Sequence, residues 1–473
     1  MISVPPSSKS TPVVVKRQLV DSSARIALQT SWEFMDIDES VVRKQEEVWD
    51  QTILDQLTAK SDLLSSIGVT ETRQAIEGKC GETGFLDVEF PPLSRFLYKG
   101  DEEEENSRDS KLLSFRRCSD YSRDNAKNDA SAPSPSVLTS RLDASDIVLG
   151  LIPDSWLITS LASLTANPAT ENLIKSLFPE DFQSYSDAGV YKVRLFKNGE
   201  WITVLLDDFF PCFPKGGPAY STTHSGALWV QLVEKAFAKV HGGYKNIAVG
   251  APYEAMIDLT GAPAVCLHFD DEEVEEQIND GSLWKLMTLY AAKGYVMTVS
   301  VAAEDEGHTE LSSGHAFTIE SLKSTSLGCQ LIVLHNPWRS LQWTGNWNPS
   351  SKLWTNSIKE ELGITSIDDK LVYMEFSDLV TFFSCLNICM VRTALNTIVP
   401  WKTTSRRLKF TYNEESGQVS NELFSLFVDA ESSVFLTVHQ QDEHIANGKP
   451  YIDIGVTVLL LKVVFCSKTT VFP

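Results

Sequence analysis

Apolar and polar positions alternate in several rhythms along this chain. Between Asp38 and about Leu64, Val42, Val48 or Trp49, Ile53 and Leu57 recur at helical spacing. With Asp38 or Ser40 available as an N-cap, this predicts an amphipathic helix packed on a neighbouring domain. "FLDVEFPPLSRFLY" (Phe85 to Tyr98) then reads as an extended apolar segment punctuated by Pro91-Pro92. The block from Lys99 to Ser136 holds "DEEEEN", "SRDNAKND" and "SAPSPS" and predicts an exposed insertion or linker.

From about Leu142 the rhythm becomes ordered. A helix is expected near Asp154, followed by period-two alternation in "GVYKVRLFKNGEWITVLLDDFFPCF" with a hairpin turn at Asn198-Gly199. "ALWVQLVEKAFAKVHGGY" predicts a helix with Leu228, Leu232, Val233, Phe237 and Val240 on one side and Gly242-Gly243 as its stop. A further helix, Leu283 to Ala292, precedes strand-like runs in "YVMTVSV", "HAFTIESL" and "CQLIVLHNPW". After about Trp401, "NELFSLFVDA", "SSVFLTVHQQD" and "YIDIGVTVLLLKVVF" alternate again, as in an antiparallel β-sandwich. About 75 residues is short for that fold, which leaves truncation open.

With 473 residues, two to four domains are expected. The net charge of −22 argues against nucleic acid or an anionic membrane as main partner, because phosphates would be repelled. Acidic excess suits calcium, although a solvated acidic surface is the plainer reading. The eight cysteines form no CxxC pair and are scattered as in reduced intracellular proteins. The N-terminal residues lack a signal-peptide apolar region, and the longest apolar run, Ile454 to Cys466, is interrupted by Lys462 and too short to span a bilayer. A cytoplasmic protein is expected, with association with the cytoskeleton left open.

Three separated positions carry the candidate chemistry. Ser155 in "DIVLGLIPDSW" stands at a helix start, where the dipole and backbone N–H groups stabilise a negative sulfur or oxyanion. His315 in "SSGHAFTIE" stands at the start of a strand, and Asn336 in "VLHNPWRSLQWTGNW" at the end of the next. A nucleophile on a helix with His and Asn on adjacent strands is the papain-type arrangement. Taken singly, His315 reads as a structural or surface residue and Asn336 as a turn before proline.

Their surroundings are similar to the catalytic core of the calpain family over roughly Phe85 to Val399. The matching segments include "FLDVEFPP", "DSWLITSLASLT", "EWITVLLDDFFPC", "ALWVQLVEKAFAKVHGGY", "GAPYEAMIDLTGAPA", "GHAFTIESL" and "HNPWRSLQWTGNW", in the family's order. The C-terminal alternation resembles the β-sandwich that follows such cores, particularly in the divergent calpain-like proteins of kinetoplastid protozoa. The resemblance implies an α+β chain, a two-subdomain papain-like core followed by the sandwich. Residues 1–80 would be a leader and helix. Residues 81–250 would form the first subdomain, with an exposed insertion at about 99–140, and 251–399 the second. Residues 400–473 would form the partial sandwich. The cleft would run between the subdomains, take a protein or peptide ligand, and in active members be aligned by calcium.

The nucleophile loop departs from the family pattern Gln-Gly-x-x-Gly-Asp-Cys-Trp. Ser155 replaces cysteine, and a hydroxyl does not ionise where a thiol does. Leu149 replaces the glutamine that donates to the oxyanion, and Pro153 replaces a glycine. Arg339 stands where glycine usually follows Asn-Pro-Trp. For calcium, the resemblance points to Glu234 in the first half and to Glu304, Asp305 and Glu306 in the loop before His315. The alternatives are a helix-surface ion pair at Glu234 and an acidic turn at "EDEG". The expectation is a calpain-like pseudopeptidase acting as scaffold or regulator. An active calcium-dependent cysteine-type endopeptidase, or a serine-type acyl hydrolase, is the alternative.

Overall fold

A computed structural model describes residues 39–81, 84–97, 113–122, 135–166, 168–213, 216–300, 316–336, 343–364, 366–367, 370–391, 403–407, 412–413, 418–419 and 434–440. Helices and strands mix throughout, as an α+β core requires.

The amphipathic helix α1 (Glu39–Ala59) docks on the extended apolar segment. Its Trp49 Nε1 donates to Pro92 O at 2.7 Å, and its Asp50 Oδ1 accepts from Ser94 N at 2.9 Å. Its Ile53 is buried. The expected insertion is not wholly exposed: within it, β1 (Ser114–Arg117) pairs antiparallel with a strand about 95 residues later. Leu113, Phe115, Cys118 and Tyr121 bury the apolar side of this segment, and Arg117 pairs with Asp208 while lying over the Phe209 ring. The charged residues on either side hid this short buried run.

The helix expected near Asp154 is α2 (Ser155–Thr165), nearly all of it buried. The hairpin follows as β2 (Val190–Lys197) and β3 (Glu200–Asp207), registered Lys197 to Glu200. Asn198 and Gly199 both have positive φ, as a two-residue primed turn demands. Next comes β4 (Phe209–Cys212), the partner of β1. Helix α3 (Trp229–His241) ends at Gly242 in the left-handed conformation. Then comes α4 (Pro252–Thr260).

The second half is built on one sheet. Its strands are β5 (Ala264–His268), β6 (Val296–Ser300), β7 (Ala316–Ser324), β8 (Gln330–His335), β9 (Leu371–Glu375) and β10 (Cys385–Cys389), in spatial order β9-β8-β7-β6-β10-β5. All neighbours are antiparallel. Helix α5 (Ser282–Ala292) contributes Leu283, Trp284 and Met287 to the apolar cluster on this sheet. A separate cluster holds the first half together around α2 and α3.

Of the predicted sandwich, the described residues are 403–407, the paired strands Tyr412–Asn413 and Gln418–Val419, and 434–440; the rest lies outside them. Among the described residues no helix is long and apolar enough to cross a membrane. The seven cysteines among them are all free thiols.

Candidate active site

The loop ahead of α2 is fixed at both ends. At its start, Asp146 accepts from Ser225 N at 2.7 Å and from Ser225 Oγ at 2.5 Å, while its carbonyl accepts from His224 N. Further on, Leu151 N donates to Ala219 O at 3.0 Å. Gly150 lies so close to that neighbouring segment that a Cβ there would sit 2.2 Å from the Tyr220 carbonyl carbon. Pro153 faces solvent and Ile152 is buried.

Asp154 is the N-cap residue of α2, but its side chain makes no capping bond; its carbonyl instead accepts from Leu157 N and Ile158 N. Ser155, the first helical residue, is half-buried. Trp156 then locks the helix start, its Nε1 donating to Ile247 O at 2.9 Å. Gly250 is required beneath that indole, because a Cβ would meet the ring at 2.5 Å.

One turn on, Thr159 Oγ1 donates to Ala316 O at 3.0 Å, joining α2 to the first residue of β7. Ser160 Oγ lies 3.2 Å from Pro252 O at the start of α4. Asn336 is buried directly after β8, and its backbone N–H donates to Lys370 O at 2.7 Å. Because β7 and β8 are antiparallel, with Thr318 opposite His335, the end where β7 begins is the end where β8 stops. His315 itself lies outside the described residues, as do Glu304, Asp305, Glu306 and Arg339. Leu149 is half-buried and packs on the first apolar cluster, and its side chain carries no hydrogen-bond donor.

The helix α3 explains the electrostatics behind this loop. It is buried nearly all round, so its polar residues need partners inside the protein. Lys235 pairs with Asp207 and donates to Phe209 O at 2.7 Å. Lys239 donates to both oxygens of Asp87, at 2.9 and 2.8 Å, and to Leu205 O. Asp87 N in turn donates to Asp207 Oδ2 at 2.9 Å, which ties the "FLDVEF" segment to the hairpin.

Glu234 does not lie on the helix surface, and among the described residues it forms no ion pair. It is buried, accepts from Ser221 N at 3.1 Å, and lies beside Asp154. Burial pushes Glu234 up to about 7. Asp154 is pushed well above the carboxylate range, first by burial and then by the neighbouring Glu234. Neither Asp154 oxygen has a hydrogen-bond partner among the described residues. A carboxyl that stays protonated is the consistent state of this pair at neutral pH.

Calcium takes six to eight oxygen ligands. Asp154 and Glu234 supply two carboxyl groups side by side, and among the described residues no third His, Cys, Asp or Glu joins them. The sequence had flagged Glu234 but not its partner. Asp154 sits next to Ser155 in the same loop, yet only the fold brings Glu234 to it.

Comparison with known proteins agrees with this architecture. Residues 85–390 match the family described as calpain family cysteine protease. The chain belongs to the calpain family. It is 29% identical to a calpain-type cysteine protease, ADL1, of Oryza sativa subsp. japonica over 325 residues, covering 67% of this chain and 14% of the rice protein. Calpain-9 of Rattus norvegicus is 30% identical over 315 residues, covering 63% of this chain and 44% of the relative. The calpain-2 catalytic subunit of Mus musculus is 27% identical over 390 residues, covering 78% and 52%. The chain thus spans between a seventh and about half of these relatives.

Chemically, a calpain-family cleft needs a nucleophile that is already ionised, a base beside it and a donor for the oxyanion. Ser155, the first residue of α2, offers a hydroxyl rather than a thiol.

Proposed function

We propose that this calpain-family chain is a catalytically impaired pseudopeptidase that uses its cleft to bind a protein or peptide segment, as an intracellular scaffold or regulator. The observation that carries this reading is the pairing of Ser155 at the head of α2 with Leu149 packed into the core six residues earlier. Losing one oxyanion donor costs about 10²–10³ in rate, and replacing the thiol is a second, independent loss. The contact between the helix and the sheet, Thr159 to Ala316, supports a retained shape.

The test is hydrolysis of an unfolded protein substrate by the purified chain, with and without calcium, beside Ser155→Ala. The expected result is the same negligible turnover in all four conditions. Turnover that requires Ser155 overturns the proposal. If it is calcium-stimulated, the chain is a working peptidase of its family; if a fluorophosphonate labels Ser155, it is a serine-type acyl hydrolase.

A further inference from the structure

The edge of the second-half sheet carries a cluster that the cleft does not use. On the edge strand β5, Cys266 and His268 are two residues apart and therefore share a face. On β10, Cys385 lies directly opposite His268, and Asn387 opposite Cys266, so Cys385 joins the same face. The Sγ atoms of Cys266 and Cys385 and a ring nitrogen of His268 all lie within 4.8 Å of one another. Cys266 Sγ is 3.7 Å from His268 Nε2.

The 3.7 Å separation of Cys266 and His268 matches a metal site, and Cys385 Sγ lies within reach of the same centre. With zinc–sulfur bonds of about 2.3 Å and zinc–nitrogen bonds of about 2.0–2.1 Å, tetrahedral ligands stand about 3.6 Å apart. The next layer is also in place. Asn387 Nδ2 donates to Ser300 Oγ at 3.1 Å, which leaves the Ser300 hydroxyl proton to point at Cys385 Sγ, 3.1 Å away. Such a donor orients and stabilises a ligating thiolate. Cys385 is buried, Cys266 half-buried and His268 exposed, so a fourth position would face solvent.

A disulfide is the competing use of two nearby cysteines. Diagonal neighbours on antiparallel strands have Cα atoms about 7–8 Å apart, at or beyond the reach of a disulfide. Hard cations prefer oxygen, and this set has no carboxylate.

We propose that Cys266, His268 and Cys385 form a zinc site that clamps the edge strand β5 to β10, with water or a partner's ligand at the fourth position. Binding releases the two thiol protons to solvent as the zinc–sulfur bonds form, and no oxidant or reductant is needed. This proposal is independent of whether the cleft hydrolyses peptides.

The test uses the full chain, stripped of metal under reducing conditions and then titrated with Zn²⁺ against a chromophoric chelator. One ion per chain is expected, with a higher melting temperature on binding. Co²⁺ in its place is expected to give a thiolate-to-cobalt charge-transfer band in the near ultraviolet. Cys266→Ser and Cys385→Ser should each weaken zinc binding by about tenfold or more. Cys329→Ser, at a half-buried cysteine outside the cluster, should leave it unchanged. His268→Gln, on an exposed side chain, keeps the test decisive if a cysteine variant fails to fold, and it too should weaken binding. Failure to retain zinc, equal binding by the cluster variants, or a Cys266–Cys385 disulfide found by mass in the untreated protein would each overturn the proposal.

Discussion

Thr159 and Ala316 join the two halves of the core: the threonine hydroxyl on the nucleophile helix donates at 3.0 Å to the carbonyl of the first residue of β7. Both residues are buried, so the bond spans the place where the helix bearing Ser155 meets the strand that follows His315 in the chain. The position of the helix head relative to that strand therefore depends on a side chain four residues from the nucleophile position.

Removing that hydroxyl should loosen the junction while keeping its volume. Thr159→Val leaves the Ala316 carbonyl buried without this donor, which costs about 1–3 kcal/mol. Denaturant unfolding should register the loss, and Thr159→Ser should recover most of it. Equal stability of the valine variant and wild type would show that the hydroxyl does not hold the halves together.

On the proposed function, full turnover should require changes at both Ser155 and Leu149. Ser155→Cys alone should give weak turnover of a protein substrate, and adding Leu149→Gln should raise it by about 10²–10³, the usual worth of one oxyanion donor. The glutamine also removes an apolar contact from the first cluster, so melting curves should accompany the kinetics. An unchanged rate on adding Leu149→Gln would show that position 149 does not face the reacting oxygen in this chain.

Features set by local chemistry were legible in the sequence. Asn198-Gly199 announced its hairpin because few residues other than Asn and Gly accept two successive positive φ angles. Gly242 announced the end of α3 for the same reason. Features made by distant pairing were not legible. Glu234 was singled out only by the family resemblance, and its neighbour Asp154 is 80 positions earlier and reaches it only through the fold. The Cys266, His268 and Cys385 cluster depends on the register of two strands more than a hundred residues apart. The β1 strand was hidden by its charged flanks, although Leu113, Phe115 and Tyr121 in fact point into the core.

The ion pair of Lys235 and Asp207 should be among the costliest to break. Both side chains are essentially inaccessible to water, at 1% and 0% exposure. Lys235→Met would leave the aspartate charge with only the N–H groups of Asp87 and Phe209, a loss of about 3–5 kcal/mol. The double variant Lys235→Met/Asp207→Asn should be more stable than the single one, since it buries no charge. Chemical denaturation of the three proteins checks this, and a loss below about 1 kcal/mol in the single variant would refute it.

Buried next to Asp154, Glu234 should make the fold less stable as pH rises. Its carboxyl titrates near 4.5 in an unfolded chain and at about 7 in the folded one. Between those values the folded state binds more protons than the unfolded state, so the slope of unfolding free energy against pH is negative. Stability is then fullest below about pH 4.5, falls as pH rises towards 7, and levels off above it for this group. The total change is on the order of 3 kcal/mol. Glu234→Gln keeps an acceptor for Ser221 N while removing the titration. The variant should therefore melt higher than wild type at pH 8 and approach it at pH 4.5. Parallel melting profiles for the two proteins across that range would show that the pair carries no such linkage.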